Sequence, residues 1–217
     1  MVQKSPAKRR GRPRGYDPDV ALARARDVFW DAGYAAASLD NLSAATGMNR
    51  PSLYGAFGDK QALYLKTLEE YRAGGKLRAA LTQDESLRAS LHRVYTAAIS
   101  IYLAGENGPR GCFLIGTALT ASVLDPKVRA TFFDALGEID AEFEARIRRA
   151  QHDNELPRSA NPPALARLAA AVLHTLAIRA RAGAPRALLE TIAADGITLI
   201  CGPRSHARRR IAPPGTR

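Results

Sequence analysis

The stretch "TGMNRPSLYGAFGDK", residues 46–60, decides how the rest of the chain is read. It opens on a glycine turn, places Pro51 just inside a helix start after Asn49, and sets Leu53 and Phe57 one turn apart. Gly58-Asp59 then ends that helix. Asn49 offers a side-chain oxygen to the unpaired first-turn amides, and proline is tolerated there because those amides have no intrahelical acceptor. A helix of about seven residues is well short of the ~12–15 needed for stability alone in water. Its neighbours must therefore clamp it, through Leu53 and Phe57 on one side. Pro51, Ser52 and Gly55 occupy the other side, Tyr54 lies on the flank, and Arg50 stands in the first turn.

The preceding residues supply the neighbours. "DPDVALARARDVFWDAGY" reads as a helix with Asp17 as cap, Pro18 in the first turn and Gly33 as stop. Leu22, Ala25 and Phe29 recur on one face. Ser38 caps a short second helix through Ala45, with Leu39 and Leu42 inward and Gly47 as a left-handed stop. Two short helices joined by a glycine turn, the second with a polar outer face, follow helix-turn-helix logic. The second helix is narrow enough for a major groove ~12 Å wide. Arg50 can reach past its end to guanine O6/N7 or to a phosphate, while Ser52 and Gly55 keep the outer face low for close approach to base edges. Asp59 starts a fourth helix, where Lys60 and the exposed amides can hold a phosphate.

Beyond residue 80 the helices lengthen. Leu87, Leu91, Val94, Ala98 and Ile101 form an apolar stripe on a helix of about five turns. "ENGPRG" breaks it, and Phe113, Thr117, Thr120 and Leu124 mark the next helix. A long helix runs from Pro126 to about Asn154, and two apolar helices follow at roughly 163–181 and 185–201. The fold class expected is all-α, with about nine helices. An N-terminal three-helix helix-turn-helix domain precedes a larger C-terminal helical domain. The organisation reads as a disordered basic arm (1–16), a helix-turn-helix DNA-binding domain (17–74), a helical domain (80–202) and a disordered basic tail (203–217).

At these residues the sequence resembles the TetR (tetracycline-repressor-like) family of bacterial transcriptional regulators, from about Pro18 to Leu68. The resemblance rests on the Leu22, Ala25, Phe29, Gly33-Tyr34 frame, Ser38-Leu39 with Leu42, Gly47, Ser52-Leu53-Tyr54, Phe57, and Lys60 with Leu63. It implies phosphate contacts from Ser38, Tyr54 and Lys60, and base contacts mainly from Asn41 and the Arg50–Gly55 helix (Arg50, Pro51, Ser52, Tyr54, Gly55), with the capping Asn49 among the DNA-binding residues. It also implies that 80–202 is the regulatory domain that binds a ligand and dimerises. The sequence departs from the family's pattern in three places. Asp40 stands where relatives often have a basic residue, Ala56 replaces a common aromatic, and Asp59 a common serine. Asp40 would repel phosphate.

Charge sorts the chain into parts. The net charge is +11, with six basic residues and no acid in 1–16 and five basic residues and no acid in 204–217. Residues 17–203 are thus formally neutral, with 21 basic and 21 acidic side chains, and residues 17–72 hold six basic against eight acidic. Such basic ends seek polyanions, nucleic acid first. "RRGRPRG" carries Arg10, Arg12 and Arg14 in a form that can lie in a narrow A·T-rich minor groove.

The body is less explicit. Leu165, Leu168, Val172 and Leu176 recur on one terminal helix and Leu188, Ile192, Leu199 and Ile200 on the other. The resemblance makes these the seam of a homodimer, as a two-headed reader of a palindromic operator requires. Tyr95, Tyr102, Phe113, Thr117 and His174 can line an apolar cavity with a few polar anchors for an unidentified small-molecule effector, although helically spaced aromatics are more often packing. Cys112 follows Gly111 at a helix start, where a thiolate would be stabilised; an inert buried cysteine is the commoner case. The four histidines show no ligand spacing, so no structural metal or cofactor is expected. Two cysteines make no disulfide framework, and the apolar run Leu168–Ile178 is short of a membrane span, so a cytoplasmic protein without membrane association is expected.

The function expected is a sequence-specific transcriptional regulator, a repressor released from its operator by the effector. Repression follows from the resemblance, not from any residue. A helical-bundle enzyme would need a nucleophile–base pair, a metal set or a phosphate loop, and none is apparent. An architectural DNA binder dominated by its tails would need charge on a body that has none.

Overall fold

The computed structural model describes residues 17–74, 76–105 and 108–203. The basic arm with Arg10, Arg12 and Arg14, and the tail from 204 onward, lie outside the described residues. Within them the chain is helical, with no strand: α1 (Pro18–Ala36), α2 (Leu39–Thr46), α3 (Arg50–Phe57), α4 (Lys60–Ala73), α5 (Lys76–Leu81), α6 (Leu87–Leu103), a π-turn (Leu114–Ala118) running into α7 (Leu119–Ala121), α8 (Pro126–His152), α9 (Pro162–Arg181) and α10 (Arg186–Cys201). All nine helices expected from the sequence are present, and α5 is an addition. It follows Gly74 and has only six residues, too few to show a periodicity.

The caps are those the sequence offers. Asp17 accepts the amides of Asp19 and Val20, Ser38 that of Asn41, Asn49 that of Ser52, Ser86 that of Ala89, Asp125 those of Lys127 and Val128, and Asn161 that of Ala164. Gly33 is non-helical inside α1 (φ 79°, ψ 163°), so the straight part of that helix stops where glycine permits it.

The chain forms two compact units that part between Thr67 and Leu68, inside α4, rather than beyond its end. The side chains give the reason. In the first unit Tyr64 is fully buried, edge-on to Phe29 (5.0 Å) and tilted against Tyr34 (4.7 Å). In the second, Leu68 is buried and Tyr71 meets Phe113 edge-on at 5.4 Å. One helix thus serves two cores in succession.

In the second unit α9 packs against α6, α8 and α10. Its inner face is largely alanine: Ala166, Ala169, Ala170, Ala177 and Ala180 are buried, which lets helices approach closely. At Gly196 of α10 a Cβ would come within 2.7 Å of Val172 Cγ2. By length and composition α9 could cross a membrane, with mean hydropathy 1.2 over eighteen residues. Eighteen residues give a longer apolar window than the Leu168–Ile178 run read from the sequence. One side of α9 packs on α6, α8 and α10, while its Leu168 and Ile178 stay exposed.

A polar knot ties α6 and α8 to the loop after α5. The Arg146 side chain, 1% exposed, donates from Nε to Ser90 Oγ (3.1 Å) and from Nη2 to the Glu85 carbonyl (2.7 Å) and Glu155 Oε1 (3.0 Å). Arg149 donates to the carbonyls of Leu81, Thr82 and Gln83. Buried charge of this kind is tolerable only when paired and hydrogen-bonded.

Candidate nucleic-acid interface

α2 and α3 are held at a fixed turn by three backbone devices. Thr46 Oγ1 donates to the Leu42 carbonyl at 2.7 Å and closes α2. Gly47 then takes a left-handed conformation (φ 68°), which a Cβ would disfavour. Asn49 Oδ1 accepts the Ser52 amide at 2.9 Å and opens α3. Gly58 (φ 84°) ends it, donating to the Tyr54 carbonyl at 2.9 Å. Inward, Leu53 (3% exposed) and Phe57 (7%) fix α3 to the first unit, with Met48 buried in the turn.

The outward face is the one the sequence marks. Asn49, Arg50, Pro51, Ser52 and Gly55 are exposed, and Tyr54 is 46% exposed. A Cβ at Gly55 would meet nothing within 4 Å, so nothing in the protomer itself demands glycine there. Ser38 and Asn41 are exposed at the start of α2, where their side chains bond each other. The residues expected to read DNA from α2 and α3 are thus all exposed, and Arg50 of α3 reaches Asp40 at the start of α2.

Two charged residues behave differently from their sequence reading. Lys60 is partly buried: its Nζ lies 4.8 Å from the centre of the Tyr34 ring and donates to the Ala35 carbonyl at 3.4 Å. Burial lowers its pKa. The ammonium is therefore held at the edge of the aromatic cluster rather than swinging free. Asp59, in the family's serine position, does the capping work itself, accepting the Ala62 amide at 2.8 Å.

Arg50 is not free either. Its Nη2 lies 2.6 Å and its Nε 3.2 Å from Asp40 Oδ1, in a pair whose side chains are 54% and 77% exposed. Hydrogen bonding to Asp40 raises the guanidinium pKa. Sequence reasoning shows only that Asp40 would repel phosphate. The two residues stand ten positions apart across a turn, a separation no helical spacing rule joins.

The body residues expected to hold an effector are mostly closed packing. Tyr95, Tyr102, Phe113 and Thr117 are buried; Tyr95 donates to the Ala169 carbonyl at 3.0 Å and Thr117 to the Phe113 carbonyl at 2.7 Å. Burial pushes both tyrosine pKa values up. His174 is partly buried, and its Nε2 has no hydrogen-bond partner among the described residues. Burial lowers its pKa, against an opposing pull from Asp140. Two clefts lie elsewhere. One, of about 530 Å³, is lined by Arg148, Gln151, His152, Asn154 and Arg158; the other, of about 400 Å³, lies between Arg88, Glu155 and Cys201. Cys112 is buried beside Tyr71 Oη (3.7 Å), and burial pushes its thiol pKa up, contrary to an activated thiolate.

The expected seam needs a correction. Leu176 (0% exposed) and Ile200 (3%) are core residues of the protomer and have no surface to offer a partner. α9 and α10 are apolar nearly all round, so periodicity cannot separate their two faces. Leu168 (37%), Leu188 (42%) and Leu199 (72%) remain exposed, Leu165, Val172 and Ile192 are half-buried, and Ile178 (55%), not anticipated, joins the exposed set.

Comparison with known proteins agrees with this geometry. Residues 21–67 match the family described as bacterial regulatory proteins, tetR family, and residues 89–194 match the tetracyclin repressor-like C-terminal domain. The HTH-type transcriptional repressor ComR of Escherichia coli is 31% identical over 194 residues, covering 88% of this chain and 92% of ComR. BdcR, a second E. coli repressor, is 32% identical over 117 residues, 53% of this chain and 59% of BdcR. Among solved structures, a cysteine mutant of the TetR family transcriptional regulator CifR, complexed with 26bp double-strand operator DNA, superposes with a TM-score of 0.79 at 34% identity, over 86% of this chain and 98% of CifR. The chain belongs to the tetR family of bacterial regulatory proteins and is a DNA-binding transcriptional regulator.

Proposed function

We propose that the protein is a cytoplasmic homodimeric repressor that binds a palindromic operator and leaves it when a small molecule binds the helical body. The observation that carries the reading is α3. It is a helix too short to stand alone, capped at both ends, buried through Leu53 and Phe57, and presenting Arg50, Pro51, Ser52, Tyr54 and Gly55 outward. A two-fold pair of such helices meets successive major grooves when ~34–36 Å apart. The exposed leucines of α9 and α10 supply an apolar surface for the pairing. An effector acts only through its differential affinity for the DNA-competent and incompetent states. His174, with an unpartnered ring nitrogen among the described residues, is its best polar anchor. Support for repression comes from ComR and BdcR, and for operator binding from CifR.

Selection of sites from a random DNA pool at near-physiological salt tests this. An inverted repeat with half-sites about one helical turn apart is expected. Enrichment in A·T content alone would replace the reading with that of an architectural protein led by its basic ends.

A further inference from the structure

We propose that Asp40 is a specificity-determining positioning residue: it holds the Arg50 guanidinium side-on, so that its end-on edge reads a guanine instead of settling on a phosphate. The proposal rests on the reading that α3 enters the major groove.

The geometry fixes which hydrogens remain. Both bonds to Asp40 reach one oxygen, Oδ1, from Nε (3.2 Å) and Nη2 (2.6 Å). That occupies the side edge of the planar guanidinium. The end edge keeps one N–H on each Nη, parallel and spaced to meet O6 and N7 of guanine together, the commonest specific contact in the major groove. Arg50 is the first residue of α3 and Asp40 the second of α2, so the carboxylate orients the guanidinium from the start of the neighbouring helix.

Electrostatics argue the same way. A carboxylate 77% exposed on the DNA-reading surface repels every phosphate, whatever the sequence. It does so in a segment, residues 17–72, that already has eight acids against six bases. Such a group weakens binding to all DNA alike, and it helps only by changing which DNA binds. A free arginine on a long flexible stem can turn to a backbone phosphate as readily as to a base. Tethering to Asp40 biases the arginine against that choice, by the modest amount an exposed ion pair is worth. Ser38 already accepts the Asn41 amide, so Asp40 serves α2 only as an acid in its first turn, beside the positive end of the helix dipole.

The test is site selection and equilibrium binding with the full-length protein and the variants Asp40→Asn, Asp40→Glu, Arg50→Ala and Asp40→Asn/Arg50→Ala. Both side chains are exposed, and Trp30 fluorescence with far-UV circular dichroism checks the fold of each variant. The wild type is expected to require guanine at one position of each half-site, and Arg50→Ala to lose that requirement. Asp40→Asn is expected to reduce the preference for guanine by about two- to fivefold, the range an exposed ion pair can supply. It should also tighten binding to random-sequence DNA and steepen its log–log salt slope by roughly 0.9, as Arg50 gains a phosphate. Asp40→Glu restores part of the preference, and Asp40→Asn adds nothing to base choice once Arg50 is gone.

If Asp40→Asn keeps the full guanine preference while Arg50→Ala abolishes it, Arg50 reads alone and the proposal is overturned. A uniform loss of affinity in Asp40→Asn with base preference unchanged would make Asp40 structural, and overturns it equally. If Arg50→Ala leaves base choice intact while an inverted repeat is still selected, Arg50 reads no base and the proposal is overturned; selection of no repeat at all by the wild type refutes the placement of α3 instead.

Discussion

Gly55→Ala separates the stability of the reading helix from its function, because the two effects have opposite signs. Gly55 lies in the interior of α3, is exposed, and would place a Cβ in open space with no atom within 4 Å. Glycine in a helix interior is less favourable than alanine by about 0.8–1.0 kcal/mol, chiefly through backbone entropy. Nothing in the protomer opposes the methyl group, so the first unit should gain about 1 kcal/mol. For a domain of its size that is roughly 4–8 °C in Tm. The chain has one tryptophan, Trp30, in α1 and 4% exposed, so its fluorescence follows the unfolding of this unit alone.

DNA affinity should fall in the same variant. If the backbone at Gly55 approaches base edges, an added carbon holds α3 away and removes about one good base interaction. That is worth about 1–3 kcal/mol, near tenfold in Kd at the lower half of the range. Fluorescence anisotropy on a selected operator reads it. A head that is more stable and binds its operator as well as before would refute the reasoning, for it would mean that this face of α3 does not meet DNA. A head that is less stable would refute the packing argument instead.

Other expectations are independent of that one. Deleting residues 1–15 should weaken binding and flatten its salt dependence by roughly 0.9 in log–log slope for each phosphate no longer neutralised; an unchanged slope removes the arm from the interface. Glu155→Ala should destabilise the second unit by about 3–5 kcal/mol, because it strands the buried Arg146 charge. Urea titration followed by circular dichroism measures this, and a loss below about 1 kcal/mol would show that Ser90 and the Glu85 carbonyl suffice for Arg146. Burial holds the Cys112 thiol protonated at neutral pH, so its alkylation should be slow in the folded protein and rapid in denaturant. Cys112→Ser should leave any oxidant-dependent release of DNA intact; abolished release would identify Cys112 as a sensor.

What is legible in the sequence follows from how each feature is encoded. The ends of α2 and α3 are readable because each is marked locally, by Ser38, Gly47, Asn49 and Gly58, and local marks need no tertiary knowledge. α5 has no comparable mark. The π-turn at Leu114–Ala118 reads as ordinary helix, since a widened turn depends on what packs against it and leaves the apolar spacing almost unchanged. The exposed apolar side of α9 and α10 is half legible: Leu199 is exposed and Ile200, its neighbour, is buried, and on a helix apolar nearly all round only the fold tells them apart. The pairing of Asp40 with Arg50 is invisible for the opposite reason. It depends on the angle of one turn, and a sequence shows charges but not the angle between two helices.

The placement of charge along the chain bears on how a head with surplus acid can belong to a DNA-binding protein. The chain's excess positive charge lies in its two ends, and the segment 17–203 balances 21 bases against 21 acids. Attraction to phosphate is sequence-independent and scales with the cations that displace counterions. From the sequence, the basic arm and tail are expected to supply that term. The folded head then contributes little to binding of arbitrary DNA, so a larger share of what it does contribute can depend on the bases. An acid on the reading surface is a fault in a protein that needs charge there for grip. In one that draws its grip from elsewhere, the same acid can sharpen discrimination, and Asp40 is placed where it would.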